Sequence, residues 1–249
     1  MTLIHDLVNL VILPTMLIAF AAYLSHQVRM SLKSIDIRIF KFTVGPGTIL
    51  HELSHLLMAI CFGMQINHIQ LWNGRTQGDF GHVSFSYRKD SLYSRTGLFF
   101  VGLAPLFSLV LLNYYVLTVG YLPGYTCSGF DFLTPQTILS QLNIVSLHFL
   151  ASRHDISAEL IMALVVVYLV FLPHLVPSPS DLKITCNGIL PLALLLTVSV
   201  ALIVLIGYKQ SLLDILYSIQ GWFILAILPV VMVSLGLVAC SQLYLMIKR

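Results

Sequence analysis

The chain has 249 residues, of which 58% are hydrophobic and only 9% charged, and its mean hydropathy of +0.92 lies far above that of a soluble globular domain. A formal charge of +3 spread through loops and termini gives no nucleic-acid footprint, and four cysteines without close spacing give neither a disulfide framework nor a thiolate zinc site. The composition is that of an all-α polytopic membrane protein, a single integral membrane domain over residues 1–249 with the lipid bilayer as its solvent and the cell membrane as its expected location.

Residues 3–24 form an apolar run long enough to cross a hydrocarbon core about 30 Å thick. It lacks a basic leading segment and outruns the core of a signal peptide, so it reads as a retained span, with Pro14 as a possible kink. Residues 25–41, carrying Arg29, Lys33, Arg38 and Lys41, read as a polar connection, either a solvated loop or a segment along the membrane interface. A second span covers residues 40–62. Gly45-Pro46-Gly47 predicts a break in it, because proline removes a helical donor and glycine permits unusual dihedrals. Regular helix is then expected from Thr48 as N-cap, which puts the histidines that follow near one end of a short helix.

Residues 66–72, a turn signal at Asn73-Gly74 and the alternating run 81–87 predict a small β-hairpin between the second and third spans. Val83, Phe85 and Tyr87 fall on one face of its second strand, and its edge could take an extended peptide by strand addition. Residues 97–120 are a third span, whose glycines and Pro105 allow close packing against the second. A loop of mixed polarity at 121–155 precedes a fourth span at 156–176, which ends in a stretch broken by Pro173, Pro177 and Pro179. Residues 184–208 and 222–247 complete about six transmembrane helices.

Chemistry concentrates at His51-Glu52-Leu53-Ser54-His55, set in an otherwise apolar run. Residues four apart share one face of a helix, so His51 and His55 offer two imidazole nitrogens to one zinc ion, and Glu52 stands close enough to take a proton from a metal-bound water. The chain has two glutamates in all, and a carboxylate in such surroundings is costly unless it is paired or at work. A catalytic zinc has three protein ligands and one open position. Asp181, after two prolines between apolar spans, is the expected third ligand; its competing reading is an exposed helix cap. Glu159, near the start of the fourth span, is the alternative acid.

Over residues 48–188 the chain resembles the site-2-protease family of intramembrane zinc metallopeptidases. In that family one membrane helix carries His-Glu-x-x-His, matched by His51, Glu52 and His55, and a β-rich loop follows, matched by residues 66–87. A later helix carries Ala-Gly-Pro-x-x-Asn, where this chain has Ala104 for the glycine and Ser108 for the asparagine. A further helix carries Asn-x-x-Pro and then Leu-Asp-Gly. Here His174 stands for the asparagine, Asp181 arrives one residue early and Leu182 replaces the glycine.

The resemblance implies a metallopeptidase core over about 42–207, flanked by peripheral spans at 3–24 and 222–247. It also implies an amino terminus inside the cell. The expected activity is hydrolysis of transmembrane protein substrates by one Zn²⁺ per chain, held by His51, His55 and Asp181 with Glu52 as catalytic base. Val83, Phe85, Tyr87 and His174 are expected to contact substrate. One alternative is a catalytically silent membrane binding or regulatory protein that keeps the fold, motivated by Ala104 and Ser108. Another, a di-iron lipid enzyme, needs further histidine boxes that this sequence lacks.

Overall fold

The computed structural model describes residues 8–73, 80–115 and 171–247, with isolated helical positions between 159 and 170. A turn of π-helix at Val8–Ile12 leads into helix α1, Leu13–Ile35. Pro14 falls in the first turn of α1, directly after the π-helical turn, so the missing N–H lies where the winding passes from π to α. α1 also continues to Ile35, through the first part of the stretch expected as a polar connection. Ser25, Val28 and Ser31 are buried there along one side while Lys33 is exposed, so the polar residues belong to an amphipathic helix end.

Helix α2 spans Ile37–Cys61, opened by Asp36, whose carboxylate accepts from the Arg38 N–H at 2.6 Å. The break expected at Gly45-Pro46-Gly47 does not occur: α2 runs through Pro46, and Thr48 is an interior residue. Neither glycine uses a positive φ. They supply room instead, Gly45 beneath the Trp72 ring and Gly47 beneath His174. His51 and His55 therefore lie past the middle of a long helix. The helix closes on Gly63 at φ 64°, with the Met64 N–H bonded to the Ala59 carbonyl and the Gly63 N–H to that of Ile60, both at 2.9 Å.

Strands β1, Gln65–Gln70, and β2, His82–Ser86, form the expected antiparallel hairpin, with the register slipping between Ile66 and His68. Helices α3, Leu92–Gly102, and α4, Ala104–Tyr115, meet at a 59° bend, where a single span over 97–120 was expected. A 3₁₀ turn at Leu172–His174 precedes α5, Pro179–Leu205, and α6, Lys209–Ile247.

Among the described residues three stretches, Val8–Ile35, Pro179–Leu205 and Gln210–Ile247, are long and apolar enough to cross a membrane, and the bent α3–α4 pair makes four if it is one span. This is consistent with a membrane protein but falls short of six spans. The expected fourth, 156–176, lies largely outside the described residues. α2 is diluted by glycine, proline, histidine and glutamate.

Two apolar clusters hold the described helices together. One gathers Ala21 and Leu24 of α1, Leu106 and Leu109 of α4, Leu172 and Leu175 around the 3₁₀ turn, and Ile227 and Val230 of α6. The other joins Ala59, Met64, Leu98 and Val101, with Phe85 and Tyr87 of the hairpin region packed against it. α3 and α5 form the most extensive helix pair, because Gly102 rests on the main chain at Asp181 and on Thr185, and Gly188 rests on that of Phe99. Of the small residues expected to face α2, Gly97 does so, against Phe62, whereas Gly102 faces α5.

Candidate metal centre

One turn of α2 places the Nε2 atoms of His51 and His55 3.1 Å apart. Asp181, in the first turn of α5, sets Oδ2 3.2 Å from His51 Nε2 and Oδ1 3.3 Å from His55 Nε2. His55 and Asp181 are buried and His51 is partly so. The side chains that gather are the three expected metal ligands. Glu159, the alternative acid, is exposed and takes no part in this group.

Two prolines explain how the rings are aimed. In an unbroken helix the N–H of residue 105 would bond the carbonyl of Val101, but Pro105 has none. The helix bends there, and that carbonyl accepts from His55 Nδ1–H at 2.7 Å. Likewise Pro177 offers no N–H to the carbonyl of His174, and the Ser178 N–H is engaged by Asp181. The His174 carbonyl accepts from His51 Nδ1–H at 2.8 Å. A carbonyl can only accept, so both Nδ1 atoms carry the proton, and in the neutral rings both Nε2 atoms present lone pairs. Two lone pairs and a carboxylate directed at one point repel one another unless a proton or a metal cation lies between them. The Nε2–Nε2 separation, and that of each Nε2 from its own carboxylate oxygen, are close to the edge of about 3.3 Å expected for ligands at about 2.0–2.1 Å around a tetrahedral ion. The group is therefore chemically and geometrically fit to hold a metal ion.

Asp181 is not the exposed helix cap of the competing reading: it is buried, in the third position of α5, and takes part in a capping box instead. Ser178 is the N-cap of α5; its Oγ accepts from the Asp181 N–H at 3.3 Å, while Asp181 Oδ2 accepts from the Ser178 N–H at 2.7 Å and from its hydroxyl at 2.6 Å. This reciprocal clamp fixes the carboxylate beneath the histidines.

Glu52 sits beside the ligands, within electrostatic reach of His51, His55, Asp181 and His82. Gly81 of the hairpin lies against its side chain. Trp72 stacks on Phe80, and Phe80 meets Phe40 of α2, which pins the neck of the hairpin above this region. Val83 is buried, and Phe85 and Tyr87 pack on the helices. The ring of His174 is buried too, so its observed part in the site runs through its carbonyl.

Arg29 of α1 adds a cationic group that acts on both Asp181 and His174. Sequence reasoning missed its place at the site, as it missed the carbonyls of Val101 and His174 and the steric roles of Gly47 and Gly81. Pro105 and Pro177 were the signals that could have located the carbonyls. No family model, curated protein or solved structure matches this chain.

Proposed function

We propose that the chain is a zinc metalloendopeptidase of the site-2-protease type, cutting peptide bonds of membrane-embedded or membrane-adjacent protein substrates. The observation that carries this reading is the convergence of His51, His55 and Asp181 on one point, with Glu52 in the next position along the helix from His51. Two imidazoles and one carboxylate suit zinc, whereas calcium and magnesium favour oxygen ligands. Three protein ligands leave one position open. Zinc bound there would acidify a water molecule and polarise a substrate carbonyl.

The remaining steps belong to the chain's own residues. Glu52 takes a proton from the attacking water as the water oxygen bonds to the carbonyl carbon, then delivers it to the amide nitrogen as the C–N bond breaks. The carbonyls of His174 and Val101 keep the two rings aimed throughout. The inward packing of Val83, Phe85 and Tyr87 leaves main-chain edges of the hairpin as its means of holding an extended substrate.

The test is Glu52→Gln beside His55→Ala in purified protein. Glu52→Gln is expected to keep one zinc per chain and to stop cleavage of a membrane substrate, whereas His55→Ala loses both. Cleavage by Glu52→Gln at the wild-type rate would reject the reading. Ala104 and Ser108 favour one rival, a silent binding protein. That rival predicts a partner retained intact by wild-type protein that carries zinc.

A further inference from the structure

We propose that Gly47 is a positioning residue for the metal centre: the room left by its missing side chain seats His174, and that seating delivers the His174 carbonyl to Nδ1 of His51. The inference rests on the metal reading above and concerns a residue that lies outside the ligand set.

A Cβ on Gly47 would stand 2.5 Å from His174 Cβ and 2.8 Å from its Cγ and Cδ2. The nearest atom decides the consequence. A clash with the far end of a side chain is relieved by rotating it, but a Cβ moves only with its own main chain. Restoring ordinary contact takes a displacement of roughly 1 Å, since carbon atoms pack at about 3.5–4.0 Å. The displaced segment includes the carbonyl that accepts from His51 Nδ1 at 2.8 Å. A shift of that size away from the ring ends a hydrogen bond of this length.

Two further observations identify packing as what fixes His174. Its ring is buried, and among the described residues its Nε2 has no hydrogen-bond partner, so what they offer the ring there is packing. Gly47 also stands four residues before His51 on α2, hence on the same face and one turn away. The seat and the ring it serves are therefore part of one rigid helical surface. Helical φ at Gly47 means that its flexibility is not in use.

The experiment moves the glycine across the contact. Zinc affinity of the purified full-length protein is measured by chelator competition, with the thermal midpoint as a second readout. Gly47→Ala is expected to weaken zinc binding by about tenfold or more, as for loss of an outer-shell partner. Gly47→Ala combined with His174→Gly, which removes the opposing Cβ but keeps the carbonyl, is expected to bind zinc within about twofold of His174→Gly alone. Gly47→Ala with wild-type affinity overturns the proposal. So does a double variant no better than Gly47→Ala, including one that fails to fold, because the added methyl would then do harm by another route. If the wild-type protein binds no zinc, the metal reading fails separately. The seat is then judged by the thermal midpoint, which the same swap must recover.

Discussion

Gly81 lies directly over Glu52: a Cβ on Gly81 would stand 2.6 Å from Glu52 Cγ and 2.8 Å from Thr48 Cγ2, with the Leu71 carbonyl 2.9 Å away on the other side. The hairpin and the proposed base therefore meet with no space for a methyl group. Gly81→Ala must push Glu52 aside or lift the hairpin. A misplacement of about 1 Å costs on the order of a hundredfold in rate, so cleavage is expected to fall by that order while zinc content stays at the wild-type value. Equal loss of zinc and cleavage would show that the contact supports the ligands and not Glu52.

Pro105→Ala returns an N–H at the position that would bond the Val101 carbonyl in a straight helix. That N–H competes with His55 Nδ1, which now has the carbonyl at 2.7 Å. Zinc affinity is expected to drop by about tenfold, the lower range for loss of an outer-shell partner, with little change in thermal stability. Chelator competition with and without the substitution checks this, and an unaltered affinity would mean the carbonyl serves both donors.

Ser178 and Asp181 separate capping from coordination. Ser178→Ala removes a helix cap worth about 1 kcal/mol, a fall of roughly 2–4 °C in melting temperature for a chain of this size. It leaves the carboxylate and its bond from the Ser178 N–H in place, so zinc is expected to remain. Asp181→Asn keeps the shape of the cap but removes the anionic ligand, and is expected to lose zinc. Retention of zinc by purified Asp181→Asn would move the third ligand elsewhere.

Arg29 acts on Asp181 across the α1 boundary of the site. A fixed positive charge there opposes entry of a second cation, so the sign of its removal is set by Coulomb's law. Arg29→Met, which keeps most of the stem, is expected to tighten zinc binding severalfold. Weaker binding in that variant would show that Arg29 orders the carboxylate more than it repels the metal.

The His51–Glu52–His55 face was legible because helical periodicity is a local property, and any helix through those residues aligns the two rings. Asp181 was legible because a carboxylate after Pro177 and Pro179 is rare in so apolar a chain. Gly45-Pro46-Gly47 misled for a physical reason: glycine and proline were read as breakers, whereas here the glycines admit Trp72 and His174 to the helix surface. Residues 25–35 misled because basic side chains were taken for a solvated connection when their helix buries the opposite face. The aiming of the imidazoles was hidden for a different reason. Main-chain carbonyls have no letter in a sequence, and Pro105 and Pro177 announce only that a donor is missing.

The backbone-to-backbone seam between α3 and α5 ties two parts of the candidate metal centre into one unit. One side of that seam supplies the carbonyl behind His55 and the other supplies Asp181, so prying the two helices apart would scatter the coordination sphere.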